Sequence, residues 1–342
     1  MFFQQVFSKL HCAFVLSALP ITIITGLPTA AFSASLSSQS YDEIYVFGDS
    51  LSDVGNASNV IETYYRVEAF PPPPYFQGRA SNGPLWVEYL GQELGLTPTL
   101  YTDVATGAIP TDGINFAFGG ATTGSSNNID PSVLPGLQQQ IDNFTANTSA
   151  DPDALYIVWA GADDYLSAGV TDPTVPVNNL STAVSSLAEY GAKDIMVVNL
   201  ADLGELPGTS GNSQNSTNLN ALTQAHNSGL AANLDSLSQN SDVNIIPLDV
   251  NSLFNEAIAD PEAFGLKNVT DSCLAVTCDN PDEYLFWDDI RPTTTAHKLV
   301  GELAVSALKS ESVPEPSEEL GILALGALGA VAVFKRKQKK AS

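Results

Sequence analysis

Five short apolar runs interrupt the polar middle of this 342-residue chain, at residues 44–48, 114–118, 154–160, 194–199 and 243–248. Their apolar residues are continuous rather than alternating, which indicates strands buried on both faces and therefore a parallel sheet covered by helices. Helical patterns alternate with these runs, over residues 85–94, 134–144, 178–190, 218–237, 251–259 and 294–308. We therefore predict one three-layer α/β/α domain with about five parallel strands.

The first run, Ile44–Gly48, leads directly into Asp49 and Ser50. Glycine lets the backbone leave a strand sharply, and the serine hydroxyl is then held at the carboxyl edge of the sheet, where ligands of such sheets bind. This pattern is typical of a nucleophilic serine. A turn with a helix-capping residue and no chemistry is the alternative. Two long polar insertions, residues 63–83 and 204–217, are predicted to border the same edge.

The amino-terminal end has the layout of a secretory signal peptide. Lys9 precedes an apolar run over residues 12–27, and small residues follow through Ala34. We expect residues 1–34 to be a signal peptide, with cleavage near residues 31–35, and the protein to be exported. A buried helix is the alternative interpretation of this segment.

The carboxyl-terminal end combines Val313-Pro314-Glu315-Pro316, fifteen apolar or glycine residues at 320–334, and a basic cluster at 335–340. The apolar stretch is shorter than the ~20 residues that usually span a bilayer, but a basic stop follows it directly. Residues 313–340 resemble a PEP-CTERM sorting signal. That resemblance implies transient anchoring in the inner membrane, cleavage by a sorting protease near the Pro-Glu-Pro and release to the cell surface or beyond. A plain tail anchor is the alternative.

The region between these two ends is strongly acidic. It holds seven of the 13 Lys and Arg and 35 of the 38 Asp and Glu, a net charge of about −28. Such a surface repels nucleic acid and anionic lipid head groups, so we expect no nucleic-acid partner. The sequence has no Asp-x-Asp-x-Asp-Gly calcium loop, and we predict neither a metal nor a cofactor.

Two cysteines remain once the amino-terminal segment is set aside. Cys273 and Cys278 have four residues between them in a stretch typical of a loop. In an oxidising compartment we expect a local disulfide, with free thiols as the alternative. Two cysteines alone do not make a structural zinc site.

Five segments carry a family resemblance. In chain order they are FGDSLSDVGN at 47–56, GRASNGPLW at 78–86, NFAFGGA at 115–121, GADD at 161–164 and FWDDIRPT at 286–293. In this order they resemble the sequence blocks of the GDSL esterase/lipase family, also called SGNH hydrolases, over residues 42–308. The resemblance implies a flavodoxin-like α/β fold and hydrolysis of carboxylic esters, so lipid or polysaccharide acyl esters are the expected substrates.

The resemblance also implies roles for individual residues. Ser50 would be the nucleophile, Asp288 would orient a histidine base, and the oxyanion hole would combine the N–H groups of Ser50 and Gly120 with an asparagine side chain. Here Arg291 occupies the histidine position and Asp163 the asparagine position. Arginine stays protonated and cannot take the serine proton. A carboxylate accepts hydrogen bonds at a place where the oxyanion needs a donor.

Neither remaining histidine is an evident substitute for the base. His226 falls inside a long helical pattern, where a surface or packing role is predicted. His297 lies six residues after Arg291 on the next predicted helix, well over a turn from the base position. Because Arg291 and Asp163 carry opposite charges and both are expected to face Ser50, we hypothesise that Arg291 pairs with Asp288 and Asp163.

Two classes of function follow from these residues. The first is an exported ester hydrolase that is impaired because Arg291 and Asp163 replace the expected histidine and asparagine. The second is a non-catalytic extracellular binding or matrix protein that keeps the same fold.

Overall fold

The computed structural model describes residues 40–311. The expected signal peptide, residues 1–34, and the expected sorting segment, residues 313–340, lie outside those residues. Along the described stretch, no helix combines the length and the apolar character needed to cross a membrane.

Strands and helices alternate along most of the described chain. The strands are β1 (Ile44–Gly48), β2 (Thr99–Leu100), β3 (Gly113–Asn115), β4 (Leu155–Trp159), β5 (Asp194–Val198), β6 (Asn244–Leu248), β7 (Asn268–Ser272) and β8 (Tyr284–Phe286). The first six helices are α1 (Asn56–Tyr65), α2 (Trp86–Leu94), α3 (Tyr101–Ala105), α4 (Leu137–Asn147), α5 (Ala162–Leu166) and α6 (Thr174–Tyr190). The others are α7 (Pro207–Ser210), α8 (Ser213–Asn240), α9 (Val250–Ala259), α10 (Cys273–Val276) and α11 (Thr294–Glu311), with short 3₁₀ turns at Pro261–Phe264 and Pro281–Glu283.

Six strands form one parallel sheet in the order β2-β3-β1-β4-β5-β6. The predicted α/β/α class is confirmed, and all five predicted strands belong to this sheet. The sixth, β2, is a two-residue edge strand beside β3, too short to leave an apolar run in the sequence. Because β1 is central and β4 adjoins it in register, residues that follow these two strands emerge side by side at the carboxyl edge.

The sheet is buried on both faces, which explains the continuous apolar runs. Ile44 and Val46 of β1 point into one core, which is closed by residues of α2, α9 and α11. Tyr45 and Phe47 point into the other core, which is closed by residues of α4, α6 and α8. Alternate side chains of one strand therefore serve opposite layers, and neither layer tolerates a polar residue in β1.

Several predicted boundaries differ from the observed ones; helices α6 and α8, for example, begin four and five residues before the predicted starts at 178 and 218. The predicted strand 114–118 ends at Asn115, although Phe116 N–H still donates to the Val46 carbonyl at 2.7 Å. The predicted helix 134–144 begins only at Leu137. Pro135 has no N–H to give to a helix, and Gly136 takes the cap position, where Gln139 Oε1 accepts its N–H at 3.1 Å.

A small second sheet supports the last loop before α11. Strands β7 and β8 pair in parallel, and the loop of residues 287–293 follows β8. A disulfide joins Cys273 and Cys278, whose Cα atoms are 4.9 Å apart. Inside that short loop, Leu274 N–H donates to the Trp287 carbonyl at 2.9 Å. The disulfide loop therefore rests against the residue that precedes Asp288.

Candidate active site

The turn after β1 can be made only with glycine at residue 48. Gly48 has a φ of 154°, and a Cβ atom there would lie 2.1 Å from the carbonyl oxygen of Trp159. The chain then turns so that Asp49 N–H donates to the same carbonyl at 3.3 Å. Ser50 follows at the carboxyl edge of the sheet with 9% of its surface exposed.

A buried glutamine fixes the backbone of this turn. Gln140, on α4, has no exposed surface. Its Oε1 accepts the Gly48 N–H and its Nε2 donates to the Gly48 carbonyl, both at 2.8 Å. Since Gly48 has no side chain to pack, these two hydrogen bonds attach its backbone to helix α4. They hold the start of the turn at residues 48–50, which we call the nucleophile turn after the role predicted for Ser50.

Asp53 joins the nucleophile turn to the glycine pair of the 115–121 segment. Its carboxylate accepts the N–H groups of Gly55 at 2.8 Å, Asn56 at 2.6 Å and Ala57 at 3.0 Å, and so caps α1. It also accepts Gly119 N–H at 2.8 Å. Burial raises the pKa of Asp53 despite these four hydrogen bonds. Sequence reasoning assigned it no role, although its place in the FGDSLSDVGN segment marked it.

The two backbone donors expected for an oxyanion are unengaged. Within residues 40–311, no protein acceptor lies on the N–H of Ser50 or of Gly120. Gly120 has a φ of 77°, and a Cβ atom there would lie 2.8 Å from Ile129 Cγ1 and 2.9 Å from Asn127 Oδ1. The turn that presents its N–H therefore requires glycine.

The loop after β8 brings Asp288 and Arg291 to Ser50. Asp288 Oδ1 accepts the backbone N–H groups of Ile290 at 2.9 Å and Arg291 at 2.8 Å, so the carboxylate closes its own turn. Asp288 Oδ2 accepts Arg291 Nη1 at 2.9 Å. The Nε–H of Arg291 donates to Ser50 Oγ at 3.2 Å. The guanidinium thus lies between the carboxylate and the serine.

Arg291 remains a cation in this position. Burial alone would lower its pKa, but the nearby Asp288 and Asp163 carboxylates outweigh burial and raise the pKa of the guanidinium. Every nitrogen of an arginine is a donor. The group nearest to Ser50 Oγ can therefore stabilise negative charge on that oxygen but cannot remove its proton.

Half of the hypothesised charge network has the expected geometry. Arg291 and Asp288 form a direct ion pair, whereas in the described part of the chain Arg291 has no ion pair with Asp163 within 4.0 Å. Asp163 therefore affects Arg291 only through the electrostatic attraction between their opposite charges. Its Oδ1 accepts Asn128 Nδ2 at 3.4 Å and Ser167 Oγ at 3.5 Å, two long contacts that draw the carboxylate away from the guanidinium.

Two carboxyl groups near Ser50 are poised to hold protons. Burial raises the pKa of Asp49 well above its usual range, and the nearby Asp163 raises it further. Burial also raises the pKa of Asp163. Asp49 is 1% exposed, and its Oδ2 has no hydrogen-bond partner in residues 40–311. A neutral Asp49 is the form that such an apolar setting favours.

Tyr75 is a further residue of the site, and sequence reasoning missed it. Its hydroxyl donates to Asp288 Oδ2 at 2.8 Å, the same oxygen that accepts Arg291 Nη1. Burial, and then the charge of Asp288, raise the pKa of Tyr75, so the phenol keeps its proton. No local pattern in the proline-rich stretch 71–75 could have announced a contact 213 residues away.

The GRASNGPLW segment at 78–86 clamps the Asp288–Arg291 loop in place. Ser81 Oγ donates to the Pro292 carbonyl at 2.9 Å, and Asn82 Oδ1 accepts Thr294 N–H at 2.9 Å. At the other end of the segment, Trp86 Nε1 donates to Ser52 Oγ at 3.2 Å. One segment therefore touches both the nucleophile turn and the loop that carries Arg291.

Both histidines are buried packing residues. His226 has no exposed surface, and its Nδ1 shares a hydrogen bond of 2.9 Å with the Tyr165 hydroxyl, so the surface role considered for it is wrong. His297 lies on α11, as predicted, and neither ring nitrogen has a partner among the described residues. Burial lowers the pKa of His226 to about 4 and that of His297 to about 3. His297 makes no hydrogen bond to Ser50.

A cavity of about 220 Å³ opens beside Ser50. Ser50, Arg291 and Gly119 line its reactive end. Two further polar residues, Asp53 and Tyr75, line it as well. The rest of its wall is apolar or glycine, partly from the predicted insertion 63–83 (Phe70, Pro71, Gly78 and Ala80) and partly from Ala57 and Ile129. In the part of the chain that the structure describes, no three His, Cys, Asp or Glu side chains gather so that they could hold a metal ion. A serine hydroxyl, a guanidinium and the backbone of Gly119 meet at this cavity.

The family model described as GDSL-like Lipase/Acylhydrolase matches residues 44–304. The chain therefore belongs to this family, whose members act on acyl esters. A phosphatidylcholine-sterol acyltransferase from Aeromonas hydrophila is 28% identical over 347 residues, covering 84% of this chain and 96% of the relative. Inactive GDSL esterase/lipase-like protein 25 from Arabidopsis thaliana is 27% identical, covering 82% and 75%. A solved structure, the carbohydrate acetylesterase Est24 from Sinorhizobium meliloti, matches 79% of this chain and 99% of its own at 15% identity and a TM-score of 0.46.

Proposed function

We propose that this protein is an exported serine acyl hydrolase whose turnover is impaired because Arg291 occupies the place of the base. The contact that carries the proposal is the 3.2 Å hydrogen bond from Arg291 Nε–H to Ser50 Oγ. In residues 40–311 no protein group lies in position to accept the Ser50 proton. A serine hydroxyl is a weak nucleophile without such an acceptor.

The remaining parts of the site still support binding of an acyl ester. The Ser50 and Gly120 N–H groups would hold the ester carbonyl oxygen, and Asp288 keeps the guanidinium in place. Ionised Asp163 opposes this arrangement, because a carboxylate supplies no donor to an oxyanion. Loss of a base leaves a triad enzyme with a residual acceleration of about 10³ to 10⁴ over water. We therefore expect slow hydrolysis of activated esters.

Hydrolysis of p-nitrophenyl acetate tests the proposal. Arg291→His supplies an acceptor, and we expect kcat/KM to rise by about 10² or more, since general base catalysis contributes that much. Adding Asp163→Asn restores an oxyanion donor and should raise kcat further, by about 10². Lys298→His, an exposed cation on α11, is the matched control and should change nothing.

The outcome that contradicts the proposal is fast turnover by the natural chain that Ser50→Ala abolishes. That result would mean that another group takes the proton. Arg291→His with Asp163→Asn leaving the rate unchanged would equally count against the roles given to these two positions.

The second candidate function is a non-catalytic extracellular binding or matrix protein. The observation that favours it is the Asp288–Arg291 pair at 2.9 Å, which holds a permanent cation against the serine. A relative of this chain carries the word "inactive" in its name. If the natural chain and Ser50→Ala hydrolyse the ester equally slowly, while the doubly substituted chain turns over, this second function is favoured.

We further propose that the protein is exported, anchored transiently in the inner membrane, and released to the cell surface or the extracellular space. The apolar segments beside basic residues at both ends support this path, as does the disulfide between Cys273 and Cys278. The substrates would then be acyl, acetyl or lipid esters outside the cell. Terminal sequencing of the protein from cell fractions tests the path, and an uncleaved chain confined to the cytoplasm contradicts it.

A further inference from the structure

The cavity beside Ser50 has a size that limits what it can hold. An apolar cavity of about 150 Å³ accommodates one six-carbon benzene ring, or about 25 Å³ per carbon. On that scale, the cavity of about 220 Å³ holds between about eight and nine carbons. A chain of sixteen or eighteen carbons, as in membrane lipids, would have to leave about half of its length in water.

The walls of the cavity are fixed by hydrogen bonds at three points. The backbone N–H of Phe70 donates to Glu62 Oε1 at 2.9 Å, and that of Ile129 donates to Asn127 Oδ1 at 2.9 Å. Ala57, 3% exposed at the first turn of α1, forms the third wall. Its N–H donates to the buried Asp53 carboxylate. A wall held this way does not widen freely to admit a longer chain.

Two of these walls are also tied to the reactive end. Asn127 Nδ2 donates to the Gly119 carbonyl at 2.8 Å, and Asp53 accepts the Gly119 N–H at 2.8 Å. The cavity therefore begins at Gly119, next to the Gly120 N–H expected to bind the oxyanion. An ester bound there with its acyl group in the cavity would leave its alcohol on the open side.

We propose that this cavity is an acyl-chain gauge that selects acyl groups of up to about eight carbons and excludes long-chain lipid acyl groups, with Phe70 and Ala57 as its specificity-determining residues. This inference rests on the proposed function, because it assumes that Ser50 faces the ester. Phe70 lines the cavity and packs against the buried cluster of Ala57, Ile61, Phe118 and Leu134, which keeps its ring in place. The large alcohol of a polysaccharide or glycolipid ester would remain outside.

The test uses p-nitrophenyl acetate, hexanoate and dodecanoate with the natural protein. Each methylene that enters the cavity should raise kcat/KM up to about fourfold, as burial of about 0.8 kcal/mol implies. We expect hexanoate to exceed acetate, and dodecanoate to fall at least tenfold below hexanoate. If dodecanoate is hydrolysed as fast as hexanoate, the proposed limit on acyl-chain length is overturned, whereas the proposed hydrolase activity is not.

Two substitutions test the walls in opposite directions. Phe70→Ala removes a ring from the wall and enlarges the cavity, so the rate of dodecanoate hydrolysis should approach the rate of hexanoate hydrolysis. Ala57→Val narrows the cavity and should lower the ratio of hexanoate to acetate. Val67→Ala, in the same loop but exposed and outside the cavity lining, is the control and should leave every ratio unchanged. Ratios that do not respond to Phe70→Ala overturn the role of that wall.

A binding measurement separates this inference from the proposed function. The N-methyl amides of acetic, hexanoic and dodecanoic acid cannot be turned over at a measurable rate, and calorimetry gives their Kd values directly. If all three esters are inert but N-methylhexanamide binds more tightly than the acetic and dodecanoic amides, the hydrolase proposal fails and the acyl-chain gauge stands. If the amides show no order of chain length, the gauge is wrong.

Discussion

Around Ser50, the residue that matters most to the proposed function is Asp288, because it holds the guanidinium that contacts the serine. Asp288 accepts four hydrogen bonds, from two backbone N–H groups, Tyr75 and Arg291. With an imidazole at position 291, the same carboxylate would orient a base. With a guanidinium, it neutralises a cation. In the proposed function, the identity of residue 291 therefore decides whether Asp288 orients a base or neutralises a cation.

At the residue scale, Tyr75→Phe should weaken the folded state. It removes one of the four donors to Asp288 and leaves the remaining partners in place, so we expect a loss of about 1 to 2 kcal/mol in the free energy of unfolding. Urea denaturation measures it. Tyr190→Phe is the control, because its half-exposed hydroxyl donates only to the Thr148 carbonyl, and it should cost less than about 1 kcal/mol. Equal losses would mean that Tyr75 is not part of the charge network.

The sequence predicted which residues stand at the site but not all of their contacts. Ser50, Gly120, Asp163, Asp288 and Arg291 were chosen from short motifs, and these motifs do converge at one edge of the sheet. Asp163 has no direct bond to Arg291 and instead contacts Asn128 and Ser167 at 3.4 and 3.5 Å. The contact with Asn128 depends on a side chain from another loop, and no spacing within the GADD segment contains that information.

At the scale of elements, helices were predicted well where long apolar patterns cover the sheet. All six predicted helices exist. Short elements such as α3, α5 and β2 leave no signal in the sequence, because two to five residues are too few for a periodic pattern. The strand pair β7 and β8 was missed for a related reason: β7 has exposed polar residues, and its partner is three residues long.

The contact between α4 and the β1 turn gives a prediction at this scale. Gln140→Met keeps the volume of the side chain but leaves the buried Gly48 N–H without a partner, whereas the Gly48 carbonyl still accepts the Phe118 N–H at 3.1 Å. One unsatisfied buried group costs about 1 to 3 kcal/mol, so the free energy of unfolding should fall by that amount in urea denaturation. Gln92→Met, on the exposed side of α2, should be neutral within about 0.5 kcal/mol. A neutral Gln140→Met would show that the glutamine does not hold the turn.

At the scale of the whole molecule, the two buried histidines make the fold sensitive to acid. Their pKa values are about 4 and about 3 in the folded protein, against 6.5 for an exposed histidine. Below pH 6.5 the unfolded chain therefore binds protons that the folded chain does not, and stability falls as the pH falls. The buried carboxyls Asp49 and Asp163, whose pKa values are raised, act in the opposite direction over the acidic range.

His297→Leu isolates the histidine contribution. The variant lacks one group that must be protonated on unfolding, so between pH 6.5 and pH 4.5 it should lose less stability than the natural chain, by up to about 3 kcal/mol. Denaturant unfolding at a series of pH values measures the difference, and the carboxyl contributions cancel between the two proteins. Val300→Ala, buried on the same helix, should shift stability equally at every pH. Parallel pH profiles for His297→Leu and the natural chain would contradict the assignment.

Ser50 and Arg291 are 241 positions apart along the chain, yet they are hydrogen-bonded. A nascent polypeptide leaves the ribosome with its serine turn long before the residues of the last loop exist, and closing so large a loop carries an entropic cost that earlier contacts must offset. The serine and the guanidinium can thus meet only after residue 291 has been synthesised and has emerged. A fluorescent donor and acceptor beside the two residues would report when this contact closes during folding.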